Sequence, residues 1–321
     1  MSAPPLPRPH RRAVHQLLLG LLPVLVVGAV ALVLLGLRLA ELRAPLAAAD
    51  TTVAATVTGV GAPPEGRGLV LRFPGPDGTE RTGRLELPQA QDVPVGAQVA
   101  VRYDASAADG EGPVPLYADG DATSAGLTDV VFGLVVVAVV LLVAAALTAG
   151  RLLGRPRLRR RPATRVTAAH LVLRQGLLVR SWLELSTSAG LRWLPVHWAP
   201  EVDRLVPDTA VEVRGDPARD GLVLPVLDGA ELWPSGRLRR RPPRGELRPA
   251  PVDPAAGGVG LLRQARADAV LPFGAPGVGL LWAYVMDSGV GGFVLATAVS
   301  AAVLFWLPQL LGSDPVATRA G

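Results

Sequence analysis

Four long apolar runs, each bounded by charge or turn residues, divide the chain. Residues 17–37 are 21 consecutive uncharged positions; as a helix they span about 31 Å, close to the ~30 Å hydrocarbon core of a bilayer. Residues 130–150 form a second run, denser in Val, Leu and Ala. Residues 269–286 give 18 uncharged positions and residues 288–312 give 25, with only Asp287 between them. The Ser288-Gly289-Val290-Gly291-Gly292 stretch beside Asp287 predicts a tight helical hairpin. Pro272, Gly274, Pro276, Gly277 and Gly279 break the first half of the third run, so a kinked or half-entering segment is the alternative to a full crossing.

Between the runs the hydrophobic period drops to two. Over residues 41–126, Val53, Ala55 and Val57 alternate with Thr52, Thr56 and Thr58, and Leu69, Leu71 and Phe73 with Val70 and Arg72. A Pro74-Gly75-Pro76-Asp77-Gly78 turn precedes residues 83–87, then Val99, Val101 and Tyr103 alternate again and Tyr117 lies near a last short strand. That predicts a β module of four or five strands between two spans. Over residues 151–267 the pattern recurs, with strands expected at 165–173, 177–185, 191–198, 211–214 and 222–227 and a helical turn at 199–205. Residues 237–248 read as an Arg/Pro linker. The two modules also share wording: Val99, Val101, Arg102 and Asp104 align with Val211, Val213, Arg214 and Asp216, and an Asp-Gly pair follows each, at 109–110 and 220–221. If the modules are related, they should share strand order, bury the paired valines, turn both arginines out, and turn the chain at both aspartates.

Composition supports a membrane protein. Half of the 321 residues are hydrophobic, aromatics are 4% and charged residues 18%. No Lys, Asn or Ile occurs, so all 32 basic residues are Arg, a pattern expected of a high-GC bacterial genome. The absence of Cys excludes disulfides, thiolate metal sites and Cys nucleophiles. Charge sets the expected sidedness. Residues 41–126 hold 6 Arg against 12 acids, and residues 151–267 hold 21 Arg against 11 acids. Arg8, Arg11 and Arg12 precede the first run. This places residues 1–16, 151–267 and the 313–321 tail in the cytoplasm and 41–126 outside, in the bacterial inner membrane. The net charge of +5 is then a dipole across a membrane and no sign of nucleic acid binding. Arg38, Glu41 and Arg43 separate the first run from Ala47-Ala48-Ala49, so it reads as an uncleaved signal anchor.

The ending Val99, Val101, Tyr103, Asp104 resembles a bacterial membrane-protein family of unknown function, in which an extracytoplasmic β module between two transmembrane helices closes with Val-x-Val-x-Tyr-Asp-Pro. Ala105 stands where that family has Pro. The resemblance implies the architecture over residues 15–150 and no activity.

Candidate chemistry is sparse. No Gly-rich phosphate loop, His-Glu-x-x-His or Gly-x-Ser-x-Gly occurs. His10, His15, His170 and His197 lack metal-ligand spacing, so a metal would have to recruit carboxylates; His197 reads as a partly packed strand residue. Asp104, Asp109, Asp119 and Asp121 lack an EF-hand spacing. Asp129, Asp287 and Gln309 fall at predicted span ends. Two features remain. Arginine collars, represented by Arg157, Arg159, Arg160 and Arg161 and by Arg239, Arg240 and Arg241, suit anionic lipid headgroups or serve only as orientation signals. Gly292, Ala296 and Ser300, spaced by four on the last span, suit close helix packing. The expected fold class is four transmembrane helices plus two small all-β modules. The expected function is non-catalytic: an envelope-associated binding or accessory protein, with membrane lipids and an unidentified protein as partners and no cofactor. The alternative is a component or regulator of a transport system.

Overall fold

The computed structural model describes residues 10–62, 68–87, 93–106, 113–118, 121–286 and 288–315. Long runs of Leu, Val and Ala build two long helices, α1 (Arg11–Ala48), which continues through Pro23 and Pro45, and α2 (Asp121–Gly154), the latter extended by a 3-10 turn over Arg155–Arg160. The third run, 269–286, is not one unbroken helix and takes the kinked form its prolines offered as the alternative. Helix α4 (Leu261–Asp268) precedes it, and a 3-10 turn over Leu271–Gly274 leads into α5 (Ala275–Val285). Pro272 and Pro276 lack the backbone N–H that an unbroken ladder needs. Helix α6 (Gly289–Leu311) follows and ends at Gly312, whose φ of 75° lets Ser313 N donate to Pro308 O at 3.0 Å. Four helical segments are therefore long and apolar enough to cross a membrane: Arg11–Ala48, Leu127–Arg160, Leu262–Val285 and Gly289–Leu311. The third begins seven residues ahead of the predicted 269 and so takes in Asp268. This is the make-up of a multi-pass membrane protein. Their outward faces are apolar, with Leu22, Val33, Leu142, Leu147, Leu280 and Val290 exposed.

Contacts divide the chain into two units, residues 30–138 and residues 1–29 with 139–321. The first contains a closed barrel of β1 (Thr51–Ala62), β2 (Gly68–Pro74), β3 (Glu80–Glu86), β4 (Gln98–Tyr103) and β5 (Val114–Ala118), ordered β1-β2-β3-β5-β4. The period-two pattern points Leu69, Leu71 and Phe73 inward to meet Val57, Leu85, Val101, Tyr103 and Leu116. The Phe73 and Tyr103 rings lie 4.9 Å apart. Parallel pairing of β3 with β5 closes the barrel, at Gly83↔Val114 and Leu85↔Leu116. A Cβ at Gly83 would fall 2.6 Å from the Leu116 side chain and 2.9 Å from Val114 O, so only glycine lets these strands approach.

The second unit contains a sheet of β6 (Ala163–Gln175), β7 (Leu178–Thr187), β8 (Gly190–Pro195), β9 (Thr209–Arg214), β10 (Leu224–Leu227) and β11 (Ala230–Glu231), with the single-turn helix α3 (Pro200–Asp203) between β8 and β9. Their order is β11-β10-β9-β6-β7-β8. Residues 246–249, read from sequence as part of a linker, instead form β12 (Glu246–Pro249), which pairs with β6 from Leu171 to Arg174. One core of Leu183, Leu185, Leu194, Val202, Val211 and Val213 lies on one face, and Leu171, Leu173 and Trp182 pack on the other. Helices α1, α2 and α6 add a third cluster through Leu17, Val24, Ala144, Trp306 and Leu310, sealed against Leu224 and Trp233.

Taken from the first strand outward, the barrel runs β3-β2-β1-β4-β5 and the sheet runs β8-β7-β6-β9-β10, the same order. Val101 and Val213 are both fully buried, Val211 is buried and Val99 packs at the edge of its core. Arg102 is exposed and Arg214 half-buried, out of phase with the valines. Asp104 Oδ1 accepts from Ser106 N at 2.9 Å, and Asp216 Oδ1 accepts from Ala218 N at 2.9 Å, the same turn at both strand exits. The Asp109-Gly110 pair lies outside the described residues. The modules differ in closure. Among the described residues β8 and β10 do not pair, and β10 takes β11 as its outer neighbour.

Candidate functional site

The densest buried polar chemistry lies where the start of α1, α4 and the end of α6 meet the sheet. Glycines bring the helices close: a Cβ at Gly20 would fall 2.7 Å from the Gln309 side chain and 3.4 Å from Trp306 Cα. At this crossing Gln16 Nε2 donates to Ser313 Oγ at 3.3 Å and Gln264 Nε2 to the same oxygen at 2.7 Å. Asp268 Oδ2 accepts from Gln264 Nε2 at 2.9 Å, Gln309 Nε2 at 2.5 Å and Ser313 Oγ at 2.8 Å. Three donors on one carboxylate oxygen are what a buried charge requires.

A second cluster lies on the sheet face. Strand alternation places His170 on β6 and Ser181 on β7 on one side of the sheet, His170 directly across from Leu183. Asp203, at the end of α3, accepts at Oδ2 from Trp198 Nε1 at 2.9 Å, and Asp314, after α6, accepts at Oδ2 from Ser181 Oγ at 2.7 Å. One side-chain nitrogen or oxygen from each of His170, Asp203 and Asp314 lies within 4.8 Å of the others; His170 and Asp314 are buried, and the Asp203 side chain is 13% exposed. Burial pushes His170 down to about 4 and Asp203 up to about 6, the latter against the hydrogen bond from Trp198 and helped by Asp314 and Asp253. Arg12 stacks on Trp198 with its guanidinium carbon 4.5 Å from the ring centre.

Arginines gather at a third place. Arg155 Nε donates to Pro234 O at 2.9 Å, while Arg180 donates from Nη2 to Ser235 Oγ at 3.2 Å and from Nε to Leu311 O at 2.9 Å. The neighbouring residues Pro234 and Ser235 thus hold both side chains. Arg151, one helical turn before Arg155, is repelled by both charges, and its Nη1 is buried without a hydrogen-bond partner. Burial, with Arg239 nearby, lowers Arg180 to about 10. His197 was expected to be partly packed and is fully buried. Its Nδ1 lies 3.4 Å from Gln16 Oε1, and burial, then His10 and the three arginines, hold the ring well below its ordinary value. His10 Nδ1 accepts from Trp233 N at 3.4 Å and is lowered to about 4 by burial and by Arg12.

The collar arginines are spread out by comparison. Arg159 pairs with Glu231 through Nε at 2.5 Å and Nη2 at 2.8 Å, and Arg161 with Asp220 at 3.0 Å. Arg157 and Arg160 are exposed. Arg239, Arg240 and Arg241 line an exposed groove with Gln175 and Arg244, and Arg239 sits 5.4 Å from the Trp182 ring centre. At Gly292 the nearest atoms belong to Ser288 of its own helix. The tight approach of α5 to α6 is made by Gly279, whose Cβ would fall 2.9 Å from Phe293 O and 3.0 Å from Thr297 N, one position on from Gly292 and Ala296. Asp129 is exposed, Gln309 is buried in the seam, and Asp109, Asp119 and Asp287 lie outside the described residues. Sequence reasoning missed Asp203, Gln264, Asp268 and Asp314, four polar residues with no motif between them; the signal was only that Gln264 and Asp268 stand four apart at the border of an apolar run. No family model, curated protein or solved structure matches the chain.

Proposed function

We propose that this chain is a four-span protein of the bacterial cell membrane that acts by binding, as a non-catalytic envelope-associated binding or accessory protein held to anionic lipid at its arginine corner. The barrel then faces outward, and the second sheet, both termini and the corner lie on the cytoplasmic side. The arginine asymmetry between residues 41–126 and 151–267 supports that sidedness. The observation that carries the lipid contact is the corner itself. Arg151, Arg155 and Arg180 crowd one another, none forms an ion pair among the described residues, and Arg151 Nη1 is buried without a partner. Crowded guanidinium groups at the end of an apolar helix are matched by a phosphate, which accepts several planar N–H donors at once.

Two measurements test this. Fusion of alkaline phosphatase at Gly110 or Gly291 is expected to give activity and fusion at Gly221 none; the reverse pattern overturns the orientation. For the corner, Arg151→Gln with Arg180→Gln is expected to lower the phosphatidylglycerol and cardiolipin that copurify by ten- to thirtyfold, at about 1 kcal/mol per arginine. Arg157→Gln with Arg160→Gln, both exposed, should retain most of it. Equal losses from the two pairs would leave only a diffuse surface field and refute the corner. A second reading, a component or regulator of a transport system, is favoured by Asp268 alone, because a carboxylate on a candidate span is the kind of group that lines ion pathways. Crosslinking in native membranes followed by copurification of a transporter would separate it from the first.

A further inference from the structure

His170 presents a physical problem. Its side chain is 3% exposed, and neither Nδ1 nor Nε2 has a hydrogen-bond partner. An imidazole must keep at least one N–H or lone pair in want of a partner, and leaving such a group buried and unsatisfied is costly. Asp203 Oδ1 lies 3.7 Å from Nδ1. That separation is too long for a hydrogen bond. It does suit two ligands of one ion: atoms bound at about 2.1 Å sit about 3.4 Å apart in tetrahedral geometry and about 3.0 to 4.2 Å apart in octahedral geometry.

The rest of the cluster is arranged in the same sense. Trp198 Nε1 donates to Asp203 Oδ2 and Ser181 Oγ to Asp314 Oδ2, neutral donors of the kind that orient ligating carboxylates from behind. The three side chains come from β6, the end of α3 and the segment after α6, so the cluster joins parts of the chain that are remote in sequence. The full spread of 4.8 Å requires a closure of about half an ångström to bring all three atoms onto one ion.

We propose that His170, Asp203 and Asp314 bind one first-row divalent transition-metal ion, of the Mn2+, Fe2+ or Zn2+ class, which clamps the segment after α6 to the sheet. An imidazole with two carboxylates suits these ions, whereas Mg2+ and Ca2+ prefer all-oxygen sites. Three protein ligands leave one position or more for water.

The test uses the full chain in detergent, purified without a histidine tag, stripped with EDTA and titrated separately with Zn2+ and Mn2+ by calorimetry, with bound metal counted by mass spectrometry. One equivalent per chain is expected, with a rise in the melting temperature. His170→Ala and Asp203→Asn should each weaken binding by at least a hundredfold and abolish that rise. Ser181→Ala, which removes only the donor behind Asp314, should weaken it by about ten- to a hundredfold, and it decides the matter if the other variants do not fold. Less than a fifth of an equivalent on the wild-type chain overturns the proposal, as does wild-type affinity in folded His170→Ala or Ser181→Ala. Mg2+ or Ca2+ binding as tightly as Zn2+ overturns the assigned metal class.

Discussion

Replacing Glu231 with Ala is expected to destabilise the second unit by about 3–5 kcal/mol, as a fall in its denaturant midpoint in detergent. Glu231 has no exposed side-chain surface. Its two oxygens take both arms of the Arg159 fork, and Oε2 also accepts from Trp233 Nε1 at 3.2 Å. Removal of the carboxylate would strand a guanidinium 32% exposed together with an indole N–H. Arg159→Met combined with Glu231→Leu should recover more than half of the loss, because the stranded charge is then gone. A single-variant cost under about 1 kcal/mol would show that Arg159 can swing out to water, as a surface pair would allow.

Acid is the second large lever. His10 and His197 are neutral when folded because burial pushes both below the ordinary value, His10 to about 4 and His197 further. The unfolded chain binds protons near pH 6.5 and the folded one does not, so the contribution of each is complete above that pH and is lost as pH falls toward the folded value. Each loss amounts to about 1.4 kcal/mol per pH unit inside the window. His170, also near 4, adds to the loss, while Asp203, raised to about 6, acts oppositely: its folded form holds a proton that the unfolded form has released. Those two largely cancel between pH 6 and 4. The melting temperature should therefore drop steeply from pH 6.5 to 4.5. His10→Gln, whose carbonyl can still accept from Trp233 N, should make that drop shallower. A flat profile between pH 7 and 5 would show that neither ring is shut from water.

Architecture was far more legible than the seam. Runs of Leu, Val and Ala have one good solution in length and composition, so all four helical segments could be placed, and period-two stretches such as Leu69, Leu71 and Phe73 announced their inward faces. The shared strand order could be anticipated from eight residues because alternation, turn and strand exit are all local. Residues 246–249 escaped because Arg and Pro mark a linker by composition, whereas pairing with β6 is decided by what that strand leaves uncovered. The polar seam was illegible for the same reason on a larger scale. Gln16 and Ser313, or His170, Asp203 and Asp314, carry no spacing rule; a tertiary contact alone makes them neighbours.

The open edge of the second sheet also has a consequence in time. Before its pairing with β8 begins at Trp182, the outer side of β7 is met by the segment after α6: Arg180 pairs with Ser313, Val179 O accepts from Asp314 N at 2.9 Å, and Ser181 waits for Asp314, 133 residues further on. Arg12 likewise waits for Gln264, 252 residues away. A ribosome making this chain releases the barrel segment with all its partners in hand, since every strand of it lies between Thr51 and Ala118. The sheet, by contrast, stays unfinished until the last hairpin has been delivered. Contacts of such long range form late. Completion of the sheet thus reports that the hairpin has arrived, and a chain stalled before α6 would still display Arg180, Ser181 and Gln16 unsheltered to whatever surveys nascent membrane proteins.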